Sequence, residues 1–153
     1  MKIKKLFFSI IPVGYAHCDV PCGIYDPKAA QIAAQTVLKM VEKINELSLP
    51  DFSKKEEVDE YLNSMTRFVW TKEEHSRKCK EELLILWTDY FKPEHLALFP
   101  NLHDVFWKAA KLCSCNKQCV DITHAQELVE AVDQIADMFV KTKSSTNKPQ
   151  SAK

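Results

Sequence analysis

The sequence predicts an all-α protein folded as an antiparallel four-helix bundle. Three observations carry this: apolar residues recur at intervals of three and four in four segments, no segment alternates as a strand does, and the connections are short. At 153 residues, with 46% hydrophobic and 27% charged residues, the chain fits one domain large enough to bury a core.

The first helix starts at Asp26-Pro27, with the carboxylate as N-cap and the proline at the first helical position. Its inward positions are Ala33, Val37, Met40, Val41, Ile44 and Leu47, and Pro50 ends it. Ser53 and Glu56 have the spacing of a capping box for the second helix, whose apolar face is Val58, Tyr61, Leu62, Met65, Phe68 and Val69. Between residues 71 and 82 only Cys79 is apolar, before residues 83–87 restore the pattern. With no Gly or Pro to break it, one long helix is expected to pass through a solvated or subunit-facing stretch.

Lys92-Pro93 closes that element, and Pro100 opens the third helix, with Leu102, Val105, Phe106, Ala109 and Leu112 inward. A cysteine-bearing connection follows. Thr123 with Gln126 suggests a second capping box, for a fourth helix that buries Leu128, Val129, Val132, Ile135, Ala136 and Phe139. Residues 141–153, rich in Lys, Ser and Thr, have no apolar pattern and are expected to be a disordered basic tail.

The formal net charge of zero hides an uneven distribution. Seven of the 21 basic residues lie in residues 1–5 and 141–153, where there is no acid, so residues 17–140 hold 14 basic against 21 acidic groups, a net of about −7. This argues against a nucleic-acid partner. No apolar run reaches the roughly 18–20 residues that span a bilayer, so the mature form is expected to have no membrane segment.

Residues 1–16 have the plan of a signal sequence: Lys2, Lys4 and Lys5, an apolar stretch over 6–13, then Gly14-Tyr15-Ala16 with small residues at −1 and −3 of the cut. Removal of this leader leaves a domain over 17–140 and exposes His17 as the N-terminus. That terminus combines a free amine, an imidazole and the thiols of Cys18 and Cys22 within six residues, with Pro21 and Gly23 available to fold the segment back. Such a cluster chelates metal, and it adds a metal-binding hook to the N-terminal end of the bundle.

The run His17-Cys18-Asp19-Val20-Pro21-Cys22-Gly23-Ile24-Tyr25-Asp26-Pro27 resembles the nickel hook of the nickel-containing superoxide dismutases. A second block, Leu86-Trp87-Thr88-Asp89-Tyr90-Phe91-Lys92-Pro93 with His95, Phe99-Pro100 and Leu102-His103 after it, is similar to that family's other distinctive stretch. Two such blocks in the right order identify the chain as a member of the family.

The resemblance implies a superoxide dismutase that turns superoxide anion into hydrogen peroxide and dioxygen by Ni(II)/Ni(III) cycling, with one nickel ion per subunit. Thiolates from Cys18 and Cys22 lower the nickel potential, and nitrogen donors suit square-planar Ni(II). By resemblance those nitrogens are the His17 amine, the Cys18 backbone amide and, axially in the oxidised state, the His17 ring. The uncut precursor is then expected to be inactive, because its His17 nitrogen is an amide. Tyr25 and Tyr90 are implied to order water and restrict the approach to nickel, with Lys92 as a local positive charge. Alternatively, both tyrosines are packing residues of the bundle. The anionic core does not attract superoxide, so steering must be local.

Where some relatives carry a carboxylate and an Arg near the axial imidazole, the matching positions here are Ala33 and His75. Either could weaken the axial bond, although His75 also reads as one more polar residue of a charged helix. His95, His103 and His124 read as surface or capping residues. The family further implies a homohexamer and a maturation protease. Export to the periplasm or outside the cell is the favoured compartment, with cytoplasmic removal of a propeptide as the alternative.

Outside the hook stand Cys79, Cys113, Cys115 and Cys119. Disulfides are the leading expectation for them, reduced loop thiols the next, and a minor metal site the last. Two other functions fit the hook residues alone. Cys18-x-x-x-Cys22 could be a thiol redox pair, though such pairs favour Cys-x-x-Cys in an α/β fold. A non-catalytic helical protein could hold zinc or copper through the hook, though a buffer has no need of the block around Tyr90.

Overall fold

A computed structural model describes residues 23–146, with side chains to residue 144. Those residues form four α-helices: α1 (Lys28–Glu46), α2 (Lys55–Ile85), α3 (Leu102–Gln118) and α4 (Ile122–Thr146). A π-helical turn, Leu86–Tyr90, extends α2, and a 3-10 turn, Pro93–Ala97, precedes α3. The helices pack in cyclic order, α1 against α2 and α4, and α3 against α2 and α4. This is the antiparallel four-helix bundle that the periodicity predicts. Among the described residues no helix is long and apolar enough to cross a membrane.

The start of α1 follows its sequence closely. Asp26 Oδ1 accepts the Lys28 N–H at 2.7 Å, so the carboxylate caps the helix over Pro27 as expected. Ala33, Val37, Val41 and Ile44 are buried, with Met40 and Leu47 half-buried beside them. Ala30, Ala33 and Ala34 let neighbouring helices approach α1 closely, and they join the core with Leu83, Leu102, Phe106 and Ile135.

The capping boxes differ from expectation. Before α2, Asp51 organises the turn: its Oδ1 accepts both the Ser53 N–H at 3.0 Å and the Ser53 hydroxyl at 2.7 Å. Glu57 then reaches back to the Asp51 N–H at 3.1 Å, so Ser53 and Glu56 do not form the box. At α4 the cap is Asp121, whose Oδ1 accepts the His124 N–H at 3.0 Å, in place of Thr123 with Gln126. At α4 a carboxylate, which accepts more strongly than a hydroxyl, took the capping role, whereas at α2 the Asp51 carboxylate fixes the turn before the helix and engages the Ser53 hydroxyl there.

The long second helix is present, but its burial is reversed. Val58, Tyr61, Met65, Phe68 and Val69 are only half-buried and Leu62 is exposed. The stretch expected to be solvated supplies the fully buried Lys72, Ser76 and Cys79. Lys72 survives there because its Nζ donates to three carbonyls at the end of α3: Asn116, Lys117 at 3.2 Å and Cys119 at 3.0 Å. An ammonium has three protons for those three acceptors, and it meets the negative end of the α3 dipole.

Two boundaries also moved. The cysteine-bearing segment is helical, with Cys113 and Cys115 inside α3 and Cys119 as its C-cap. Helix α4 continues to Thr146 and buries Thr142, so the residues expected to begin a disordered tail are part of the bundle. The leader, His17, Cys18 and Cys22, and residues 147–153 lie outside the described residues.

Candidate active site

The chain enters the bundle through a turn at Gly23, whose φ of 93° is the one positive value among the described residues. Two residues later the Tyr25 ring is inserted into the core, 7% exposed. It meets the Tyr90 ring edge-on, with centroids 5.8 Å apart and planes at 63°. The two tyrosines singled out in the sequence are therefore in contact, although 65 positions separate them.

Tyr90 is placed by the π-helical turn. Phe91 donates its N–H to the Leu86 carbonyl, five residues back, at 3.0 Å. The wider turn puts both Leu86 and Phe91 in the core and turns Tyr90 onto α4, where its ring lies 4.3 Å from that of Phe139. Phe91 at 5.1 Å and His95 at 6.0 Å complete the ring's surroundings. Phe91 in turn packs on Phe106, and Phe106 stacks on Trp87, so an aromatic cluster anchors the whole block.

The Tyr90 hydroxyl shares a 2.7 Å hydrogen bond with Thr142 Oγ1. Thr142 donates its proton to the Phe139 carbonyl at 2.7 Å, which leaves its oxygen to accept from Tyr90. Thr142 thus orients the Tyr90 O–H. Beside it Lys143 donates to the Tyr25 carbonyl at 3.4 Å and lies 4.5 Å from the Phe139 ring centroid. Neither residue was singled out in the sequence. The signal for Thr142 was there, since Ile135, Met138, Phe139 and Thr142 continue one helical face.

Lys92 is exposed, and it lines a small cleft with Trp87, Phe91, Leu96 and His103 rather than the contact between the two tyrosines. Its backbone N–H donates to His95 Nδ1 at 3.2 Å, so His95 has the expected capping role. His103 accepts the Trp87 indole N–H at 2.8 Å. Ala33 is buried on α1. His75 is half-buried on α2, with Nδ1 buried and without a hydrogen-bond partner. Burial, with Lys78 nearby, lowers the His75 pKa.

Cys79, Cys113, Cys115 and Cys119 are all free thiols, not the disulfides expected first. Cys79 and Cys113 are fully buried, and contact with Cys113 together with burial pushes the Cys79 thiol far above its ordinary range. It is a neutral packing group. Cys115 and Cys119 instead converge on His124, a meeting that a loop reading of this segment could not show.

The buried Tyr25 meets the half-buried Tyr90 where the described chain enters the bundle, three positions after Cys22, and this defines a four-helix protein whose candidate metal donors precede its first helix in sequence. Residues 13–143 match the family described as nickel-containing superoxide dismutase. The chain is 33% identical over 143 residues to superoxide dismutase [Ni] of Streptomyces seoulensis, covering 94% of this chain and 99% of that protein. The same enzyme of Streptomyces coelicolor is also 33% identical, with the same coverage. A native nickel superoxide dismutase crystal structure superposes with a TM-score of 0.71 at 33% identity, covering 84% of this chain and 99% of the other. The chain belongs to the nickel-containing superoxide dismutases.

Proposed function

We propose that His17, Cys18 and Cys22, in the segment that leads in sequence to the Tyr25–Tyr90 contact, hold the nickel of this superoxide dismutase. Two superoxide anions and two protons give dioxygen and hydrogen peroxide. The nitrogen and thiolate donors of the hook fit nickel, which supplies the one-electron couple when bound. The observation that carries the site reading is the Tyr25–Tyr90 contact, because it brings the end of the hook run, three positions after Cys22, against the second family-like block of the sequence.

The chain's own residues then have separable tasks. Tyr25 and Tyr90 wall the approach, so a small anion enters and larger ligands do not. The Tyr90 proton is held at Oη by the bond to Thr142, which leaves the lone pairs of the phenolic oxygen to accept from ordered water. Lys92 and Lys143 supply positive charge in a domain whose net charge is about −7. The exposure of Trp70 and Phe52, at 71% and 74%, supports assembly of subunits into the homohexamer implied by family resemblance. Removal of residues 1–16 by a maturation protease frees the His17 amine, with export the favoured route.

The test compares protein beginning at His17 with a Met-extended form. Metal analysis and superoxide decay are measured together. Nickel retention and activity confined to the His17 form are expected, and normal activity in the extended form overturns the reading. Cys18→Ser or Cys22→Ser should abolish activity with helicity unchanged, since both precede Lys28, where α1 begins.

A further inference from the structure

Away from the tyrosines, at the junction of α3 and α4, three donor atoms face one another. Cys115 Sγ and Cys119 Sγ are 4.0 Å apart. His124 Nδ1 is 3.4 Å from the first sulfur and 3.5 Å from the second. With Zn–S near 2.3 Å and Zn–N near 2.0–2.1 Å, a tetrahedral zinc sets sulfur atoms about 3.8 Å apart and sulfur to nitrogen about 3.5 Å. The triangle therefore has the size of one face of a zinc tetrahedron. A disulfide would need the sulfurs to close to about 2.05 Å.

The backbone that presents these atoms is fixed from three sides. Lys72 of α2 holds the Asn116, Lys117 and Cys119 carbonyls. Asn116 Nδ2 donates to the His124 carbonyl at 2.9 Å and to the Leu112 carbonyl at 3.0 Å. Asp121 accepts the His124 N–H at 3.0 Å. Side-chain positions held by such bonds are what a metal site needs in its supporting residues. All three ligand side chains are half-buried, which leaves a path for an ion.

We propose that Cys115, Cys119 and His124 bind a zinc ion, a Cys2His site separate from the hook that ties the end of α3 to the first turn of α4, with water in the fourth position. Two thiolates and one imidazole are a soft and borderline donor set suited to zinc, and their charge balances the ion's. Binding releases the two thiol protons to solvent. Cys79 and Cys113, both fully buried, take no part.

The test uses the full chain carrying Cys18→Ser and Cys22→Ser, which removes the hook thiolates. Anaerobically purified protein is titrated with zinc(II), and separately with cobalt(II). About one zinc per chain should survive gel filtration, and cobalt should give thiolate charge-transfer bands with tetrahedral intensity. Cys119→Ser in the same background should lose both. No retained zinc in the parent, or retention unchanged by Cys119→Ser, overturns the proposal. Should Cys119→Ser lose its helical circular dichroism, zinc X-ray absorption on the parent decides: two sulfurs and one imidazole support the site, and an all-oxygen-and-nitrogen shell overturns it.

Discussion

Lys72 illustrates how much a single side chain can hold together. Its ammonium closes the C-terminal end of α3, so Lys72→Met keeps the aliphatic stem but leaves buried carbonyls without donors. We expect a loss of about 2–3 kcal/mol in chemical denaturation, near the cost of such unsatisfied groups. His75 gives a pH-dependent expectation. Its folded pKa lies below the ordinary 6.5, so below that pH the unfolded chain binds the proton first. Stability should fall as pH drops from 6.5 through the folded value, and His75→Gln should flatten that limb of the profile. Lys92→Glu, in its cleft beside Trp87 and His103, and Lys143→Glu, at the Tyr25 carbonyl, should each lower the bimolecular rate with superoxide at low salt. Because screening acts within roughly 10 Å at 0.1 M, the gap to the parent should narrow as salt rises. A rate unaffected at low salt, with nickel fully loaded, would remove that lysine from the mechanism.

Among the elements, the caps separate what local sequence can indicate from what it cannot. Asp26-Pro27 was legible because carboxylate and proline are adjacent and nothing nearby competes. Before α2 the Ser-x-x-Glu spacing is present, yet Asp51 two residues earlier is the stronger acceptor and bonds Ser53 itself. Asp51→Ala should therefore lower the midpoint of thermal or chemical unfolding more than Ser53→Ala does, because it removes the acceptor of both Ser53 bonds. A larger effect at Ser53 would restore the capping box. The π-helical turn was invisible in advance, since Leu86-Trp87-Thr88-Asp89-Tyr90 continues an α pattern. What widens the turn is the pull of Leu86 and Phe91 into the same core, five positions apart.

For the whole molecule, the unsatisfied feature is the outward face of α2. Trp70 and Leu62 are exposed in the single chain, at 71% and 54%, where a large apolar side chain usually finds cover. We propose that in the homohexamer implied by family resemblance such side chains meet neighbouring subunits. Trp70→Glu should then shift the assembly to smaller species in sedimentation velocity while the helical signal of each chain persists. A hexamer unchanged by that substitution would place the subunit contacts elsewhere.

The order of residues along the chain was enough for the helix count and the helix type, and it is what proposes the hook's donors. Each of these depends on neighbours within a few positions: apolar spacing for the helices, and His17, Cys18 and Cys22 for the metal. The Tyr25–Tyr90 contact was anticipated through family resemblance, not through spacing. Burial of residues 71–82, by contrast, depends on which helix end comes to rest against them. Lys72 is polar by any local measure, and three carbonyls from residues 116–119 make its burial favourable. Cys115, Cys119 and His124 converge for the same kind of reason, because the tight passage from α3 into α4 folds the first turn of one helix over the last turn of the other.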